Sequence, residues 1–240
     1  MNGTWRESER ILSRISALEP VSVEVLVCPP FTALASAASH LAGTEIQWGA
    51  QNVYPAEKGA YTGEISPGML AESGCTYCIC GHSERRRYFG ETDDFIHEKI
   101  KALFAHYIRP ILCVGESADE RAAGKTEAVI RQEVEKGISG LSPDEVARLV
   151  IAYEPVWAIG SGAAATAGDA EAVCAFIRSV VEETYGKTVS DLVRILYGGS
   201  VNSSNISSFL QEKDIDGALI GGASLDGDEF SAIVETAERN

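Results

Sequence analysis

Basic residues are scarce in this sequence. Its 240 residues hold 20 Lys and Arg against 35 Asp and Glu, which gives a formal net charge of −15. A nucleic-acid surface needs clustered Lys and Arg, and an anionic membrane attracts the same residues. We therefore expect neither nucleic acid nor a membrane as a partner.

Long uncharged hydrophobic runs are also missing. The first eighteen residues carry Arg6, Glu7, Glu9, Arg10 and Arg14 instead of the continuous apolar stretch of a secretory signal. No segment approaches the roughly 18 apolar residues of a membrane-spanning helix. Both absences predict a cytoplasmic protein.

The six cysteines do not indicate a disulfide scaffold, because a chain of this length buries enough core without one. Cys28, Cys80 and Cys113 lie in apolar runs that are typical of buried strands, where a free thiol behaves as a small hydrophobic group. Cys78, Cys80 and His82 alternate and would share one face of a strand, so a metal site is an alternative. Cys75 and Cys78 have the spacing of a zinc ligand pair, but no second pair of this type occurs elsewhere. We therefore expect buried thiols and no metal.

Short apolar runs alternate with amphipathic segments along the chain. The seven runs cover residues 23–28, 45–50, 77–81, 108–114, 149–154, 192–197 and 217–221. Continuous hydrophobic runs separated by helices indicate a parallel sheet that helices cover from outside. Their spacing of about 30 residues favours a closed barrel of strands and helices over an open sheet. No linker interrupts the series, so we predict a single α/β domain over residues 1–240.

Helical signals begin close to the first residue. Thr4 and Glu7 have the spacing of a capping box, and Ile11, Ile15 and Leu18 follow at helical intervals. Only three residues precede this helix, too few for a strand. An eightfold barrel would therefore lack its first strand in this sequence.

A histidine follows the third predicted strand, at the end where barrel enzymes carry their catalytic groups. His82 precedes Ser-Glu-Arg-Arg, where a helix is about to start, and the positive end of a helix disfavours an imidazolium. A neutral His82 could donate a hydrogen bond to a substrate carbonyl. A histidine that only caps or packs is the alternative.

A carboxylate ends the fifth predicted strand. Glu154 precedes Pro-Val-Trp-Ala-Ile-Gly-Ser-Gly, and apolar surroundings can tune such a carboxylate as a general base. The segment that follows combines a rigid proline and a bulky tryptophan with small residues, which is the composition of a lid. An exposed glutamate on an ordinary loop is the alternative.

Glycine-bearing turns follow the last two predicted strands. They read Tyr-Gly-Gly-Ser-Val at 197–201 and Ile-Gly-Gly-Ala-Ser at 220–224, and each precedes a helical pattern. Backbone amides at helix N-termini bind phosphate, and glycine permits close approach. In barrels of this class the phosphate site follows the seventh and eighth strands. Two such turns in succession favour a phosphate site over purely structural turns.

Together these elements resemble the triosephosphate isomerase family over the whole chain. Further matching motifs are Cys-Pro-Pro-Phe at 28–31, Gly-Ala-Tyr-Thr-Gly-Glu at 59–64 and Cys-Val-Gly-Glu at 113–116. The resemblance implies a (β/α)8 TIM barrel that interconverts dihydroxyacetone phosphate and D-glyceraldehyde 3-phosphate through an enediolate. It further implies an enzyme of glycolysis and gluconeogenesis that needs no metal or organic cofactor.

The resemblance also implies roles for single residues. Glu154 would take the proton beside the substrate carbonyl, neutral His82 would act as electrophile, and Glu84 would support the site electrostatically. The backbone amides that would hold the substrate phosphate belong to Gly160, Ser200, Gly221 and Gly222. Residues 155–165 would form the lid that excludes water. The loop from Gln51 to Glu64, with Thr62 near its tip, would contact the partner in a homodimer.

One departure from the family concerns the start of the sequence. The family has Gly-Asn-Trp-Lys directly before Met-Asn-Gly-Thr, and its Asn and Lys belong to the active site. Lys58 and Lys125 lie in other motifs and do not replace that lysine. We favour an upstream start over a shortened chain, because a barrel without one strand has two unpaired edges. The 240-residue chain alone is then expected to be catalytically impaired, and a non-catalytic phosphate-binding barrel is the rival interpretation.

Overall fold

The computed structural model describes residues 1–19, 21–159 and 165–240, in which strands and helices alternate. The strands are β1 (Leu26–Val27), β2 (Gln47–Ala50), β3 (Tyr77–Cys80), β4 (Arg109–Val114), β5 (Val150–Tyr153), β6 (Arg194–Tyr197) and β7 (Gly217–Ala218). The helices are α1 (Trp5–Ile15), α2 (Leu34–Leu41), α3 (Pro67–Glu72), α4 (Ser83–Phe89), α5 (Asp93–Ala105), α6 (Ala118–Ala122), α7 (Thr126–Ile138), α8 (Pro143–Arg148), α9 (Ala167–Tyr185), α10 (Lys187–Ser190), α11 (Ile206–Leu210) and α12 (Gly227–Glu238). Short 3-10 helices cover Phe31–Ala33, Val156–Ala158 and Gly222–Leu225.

The seven strands form one parallel sheet in sequence order, β1 to β7. Each predicted apolar run contains one strand, so the predicted parallel arrangement is confirmed. The strands are shorter than the runs, most of all β1 and β7, which have two residues each. Both lie at the ends of the sheet order, where each pairs with a single neighbouring strand among the described residues.

The sheet is curled into a barrel. Its inner face holds one apolar cluster built from nearly every strand: Tyr77, Ile79, Ile111, Cys113, Val150 and Ala152, with Leu26, Cys28, Leu196 and Leu219 packed against them. At the bottom of the barrel, Glu24 accepts a hydrogen bond from the Tyr77 hydroxyl at 2.5 Å and pairs with Arg194. The segment before β1 therefore contacts β6 across the sheet, and the predicted α/β barrel is confirmed with seven strands in the described residues.

The first and last helices of the outer layer pack against each other. Leu12 and Ile15 of α1 pack with residues of α2 and α12 in a separate outer cluster. The capping box at the start of α1 is confirmed, since Glu7 accepts from the Thr4 N–H at 2.7 Å and its own N–H donates to the Thr4 hydroxyl. The predicted apolar face is confirmed, since Ile15 is buried and Ile11 and Leu18 pack against the same cluster, although Leu12 is more buried than Ile11 and the helix ends before Leu18. None of the helices in the described residues has the length and apolarity needed to cross a bilayer.

Tyr107, in the turn between α5 and β4, gives a prediction for stability. Its φ of 59° lies in the left-handed region, which costs an L-residue roughly 1–2 kcal/mol, and the residue is 86% exposed. Tyr107→Gly removes that cost but raises the conformational entropy of the unfolded chain, which lowers the free energy of unfolding by about 0.5–1 kcal/mol. We expect the free energy of unfolding in urea to rise by about 0.5–1 kcal/mol. Tyr107→Ala keeps the Cβ and is the matched control, and a Gly variant no more stable than the Ala variant would contradict the prediction.

Candidate active site

The predicted functional residues meet at one rim of the barrel. His82 lies two residues after the end of β3, Glu154 directly follows β5, and the Gly198 turn directly follows β6. In a parallel barrel all strands end at the same rim, so side chains that follow different strands come together. The structure places His82 and Glu154 in direct contact.

The Glu154 carboxylate is buried and hydrogen-bonded through both oxygens. Its Oε1 lies 2.9 Å from Nε2 of His82, and its Oε2 accepts the backbone N–H of Ser83 at 2.9 Å. The side chain is only 3% exposed. The prediction of an apolar, desolvated environment for Glu154 agrees with this burial, and the exposed-loop alternative does not.

The hydrogen bonds of His82 define its tautomer. Its Nδ1 accepts the backbone N–H of Glu84 at 3.2 Å, at the N-terminus of α4. A nitrogen that accepts carries no proton, so the neutral ring has its proton on Nε2 and donates it to Glu154. His82 therefore presents an N–H donor to the space at the rim.

Two glycines make room for Glu154. A Cβ on Gly115 would lie 1.7 Å from the Glu154 carbonyl oxygen, and a Cβ on Gly198 would lie 3.0 Å from its Cγ. The Glu154 N–H also donates to the Val114 carbonyl at 2.8 Å. The backbone of Glu154 is thus fixed between the ends of β4 and β6. The role of Gly115 was not predicted, although a glycine directly after a buried strand is a signal of close backbone approach.

Charge near His82 changes its pKa. Burial lowers the pKa of His82, but the hydrogen bond and negative charge of Glu154, with a smaller contribution from Glu84, outweigh burial and raise it. The Glu84 carboxylate lies 3.9 Å from Nδ1 and is 66% exposed. Glu84 is therefore close to the pair but solvated.

A second buried carboxylate, Glu116, supports the segment that follows Glu154. It accepts the Tyr153 hydroxyl at 3.1 Å and the Trp157 indole N–H at 3.0 Å, and its carbonyl accepts the Val156 N–H. The Arg121 guanidinium stacks over the Trp157 ring at 4.3 Å. The start of the predicted lid is therefore tied to the end of β4, which the sequence analysis did not foresee. The middle of that lid, residues 160–164, lies outside the described residues.

The predicted phosphate-binding glycines lie on the same rim. Gly221 and Gly222 are exposed and begin the 3-10 helix after β7, and Ser200 is exposed after β6. Within the described residues, the backbone N–H groups of these three donate no hydrogen bond. Gly160, the fourth predicted contact, lies outside the described residues.

The helix after Ser200 starts later than its sequence pattern suggests. The Asn202 side chain accepts the N–H groups of Ser204 and Asn205, and Asn205 donates to the Ser200 carbonyl. These bonds form a turn, and α11 begins only at Ile206. Ser200 is therefore not at the N-terminus of α11.

The cysteines are free, and most are buried. Cys28 is half-buried just beyond the end of β1, whereas Cys80 and Cys113 are buried in strands, as predicted. Burial raises the pKa of Cys113 well above its ordinary value and that of Cys28 to about 12. In the described parts of the chain, no group of three or more His, Cys, Asp or Glu side chains has the arrangement of a metal site.

The fold and rim define the chain as an α/β barrel with a buried carboxylate–imidazole pair. A sequence profile of the triosephosphate isomerase family matches residues 1–237. A triosephosphate isomerase of Dictyoglomus turgidum is 53% identical over 238 residues, 98% of this chain and 96% of the relative. One of Symbiobacterium thermophilum is 51% identical over 215 residues, 90% of this chain and 84% of the relative. The chain belongs to the triosephosphate isomerase family.

The contact between His82 and Glu154 predicts how the His82 pKa responds to mutation. In Glu154→Gln the negative charge is lost while burial remains, so the pKa of His82 should fall. NMR titration of the His82 ring measures the change. Glu84→Gln, which removes an exposed and smaller contribution, is the matched control and should lower the pKa less. An unchanged His82 pKa in Glu154→Gln would show that the two groups are not coupled.

Proposed function

We propose that the chain catalyses the interconversion of dihydroxyacetone phosphate and D-glyceraldehyde 3-phosphate, as a single domain and without a metal or organic cofactor. The observation that carries the proposal is the buried Glu154 carboxylate beside the Nε2–H of His82, on the rim where the Gly221–Gly222 turn exposes its amides. Membership of the triosephosphate isomerase family supports the choice of substrate.

Proton transfer by Glu154 is the proposed first step. The carboxylate exchanges its present partners for the substrate and takes a proton from the carbon beside the carbonyl. The electron pair of that C–H bond forms a carbon–carbon double bond, and the carbonyl oxygen becomes an enediolate oxygen. The Nε2–H of His82 stabilises the charge that develops on this oxygen. The hydroxyl proton on the carbon that lost its hydrogen then moves to this oxygen, and the acid form of Glu154 returns its proton to the former carbonyl carbon, so that the new carbonyl forms at the carbon first deprotonated.

Burial suits Glu154 to this task. Removing water strengthens the electrostatic interactions within the site, and both neighbouring donors are held by the fixed backbone of α4. Glu84 is proposed as an electrostatic support for His82, because its carboxylate lies 3.9 Å from Nδ1 of that ring.

The substrate phosphate is proposed to bind the backbone N–H groups of Ser200, Gly221 and Gly222, together with Gly160. The support is that the first three are exposed and donate no bond within the described residues. No side chain crowds the Cβ positions of Gly221 and Gly222, so a phosphate can approach the backbone.

A homodimer through the loop from Gln51 to Glu64 is also proposed. The rings of Tyr54 and Tyr61 contact each other within the loop, with 4.3 Å between their centroids and 36° between their planes, and Tyr61 and Thr62 are exposed. Beside the loop, a cavity of about 440 Å³ is lined by residues that include Tyr54, Glu64 and Phe89, which is 68% exposed. Apolar exposure of this kind favours a protein partner. We also propose that the enzyme is cytoplasmic.

The base assignment is tested by Glu154→Asp, in a chain extended before Met1 with the family's first strand and its Gly-Asn-Trp-Lys segment. The side chain becomes one methylene shorter, and a displacement of about 1 Å can cost roughly 100-fold in rate. We expect kcat to fall by about 100-fold or more with unchanged circular dichroism. Glu135→Asp on the exposed face of α7 is the matched control. A Glu154→Asp variant with near-normal turnover would refute the assignment.

The same isomerase assay on the unextended chain tests the importance of the family lysine. Turnover as high as that of the extended form would contradict the expectation that the lysine is needed. A chain that binds phosphate in both forms but never isomerises the substrate would support the non-catalytic barrel instead.

A further inference from the structure

Behind the catalytic rim lies a buried carboxylate that the proposed reaction does not use. Glu133, on α7, is 9% exposed. Its Oε2 accepts the backbone N–H of Gly115 at 2.8 Å, and its Oε1 lies 3.3 Å from Nη1 of Arg86. One carboxylate therefore connects the loop after β4 with the helix after β3.

Both partners of Glu133 touch the backbone of the catalytic pair. Gly115 lies against the main chain of Glu154, where a Cβ would be 1.7 Å from the carbonyl oxygen. Arg86 donates from Nε to the carbonyl of Gly81 at 2.9 Å, directly before His82. A shift of either partner would thus change the separation of the Glu154 carboxylate and the His82 ring.

We propose that Glu133 is a positioning residue, whose ionised carboxylate holds the Gly115 amide and Arg86 together and thereby sets the Glu154–His82 geometry. Protonation of Glu133 loosens this link. The role in turnover rests on the proposed isomerase function, whereas the effect on the geometry does not.

The charges that face Glu133 come from four helices. Arg86 on α4 donates to Asp93 on α5 at 2.6 Å, and the Asp93 carboxylate also accepts from Gln132 on α7. Glu120 on α6 adds a second negative charge near Glu133, and Lys136 on α7 adds a positive charge near Asp93. The core of the cluster is therefore one guanidinium shared by two carboxylates.

Asp93 is the ionised partner in this cluster. Burial opposes ionisation, but the hydrogen bonds from Arg86 and Gln132 outweigh it and lower the pKa of Asp93. Glu133 has the longer contact with Arg86, and burial raises its pKa to about 7 although Arg86 and the Gly115 N–H act in the opposite direction. Glu133 is thus the group that exchanges its proton near neutral pH. A proton on its Oε1 would face an N–H donor of Arg86, so protonation disrupts that contact.

Glu133→Gln provides a sharp test, because glutamine has the shape of the protonated acid and keeps an oxygen for the Gly115 N–H. We expect the amide resonances of Gly115 and Ser83 to coincide in wild type and variant at low pH, and to diverge as the pH rises through about 7. Because His82 titrates in both proteins, wild type and variant are compared at each pH and not each against its own low-pH spectrum. Glu135→Gln, which removes an exposed carboxylate from the same helix, is the matched control and should produce no divergence.

Two further readouts separate positioning from a purely structural role. The kcat ratio of wild type to Glu133→Gln should be near one at low pH and rise to about tenfold above neutrality, with unchanged KM. We expect about tenfold because the displacement is smaller than the 1 Å that costs roughly 100-fold in rate. Because the folded pKa is raised, the stability that proton binding gives is present below about pH 4.5 and lost as the pH rises to about 7. The melting temperature of wild type should therefore fall over this window relative to that of Glu133→Gln.

The outcomes are distinct. If the chemical shift of the Gly115 amide differed between wild type and Glu133→Gln by the same amount across this pH range, the proposal would be overturned, because Glu133 would not titrate. The proposal would also be overturned if the Gly115 resonances diverged while those of Ser83 did not and the kcat ratio stayed independent of pH. Protonation of Glu133 would then leave the Glu154–His82 geometry unchanged. Absence of isomerase activity from the extended wild type contradicts the proposed function, but the amide and melting measurements still decide the role of Glu133.

Discussion

The Glu154 carboxylate, held out of water by the chain that follows β3, is the constraint on which the rest of the site depends. A buried charge needs compensating donors, and Glu154 finds both in adjacent residues, the imidazole of His82 and the amide of Ser83. Two donors on one turn can meet one carboxylate only if the ends of β3 and β5 stay at a fixed separation. The intervening strand β4 sets that separation, and the glycine after it, Gly115, lets the Glu154 backbone approach.

Glu154 differs from the other buried glutamates of this rim in the kind of partner it has. Glu91 pairs with Arg85 and Lys99, Glu116 with Arg121, and Glu133 with Arg86. Within the described residues, Glu154 contacts no Lys or Arg and has only a histidine and a backbone amide. A permanent cation would stabilise the carboxylate and oppose proton uptake. A histidine and a backbone amide, neither of which is a permanent cation, satisfy the buried oxygens and still let Glu154 accept a proton, which is what a general base requires.

Local sequence patterns predicted the strands, the capping box of α1 and the positions of His82 and Glu154 at strand ends. These features depend on neighbours within a few residues or on the rule that parallel strands end at one rim. The contacts of Ser83, Gly115, Glu116 and Glu133 were not predicted, because they depend on which residue of one strand faces which residue of the next. The late start of α11 was missed for another reason, since side-chain bonds of Asn202 and Asn205 compete with the helix there.

The acid–base pair of His82 and Glu154 follows strands that pair with their neighbours over the largest number of residues. The pairs β3–β4, β4–β5 and β5–β6 each align four residues, whereas β1–β2 and β6–β7 align two. Among the described residues, those that contact Glu154 end or directly follow strands β3, β4 and β6. The proposed phosphate turn at Gly221 and Gly222 instead follows β7, at the end of the sheet order. Loss of order at that end should therefore weaken phosphate binding while the Glu154–His82 contact persists, since loosely paired strands open at lower free energy.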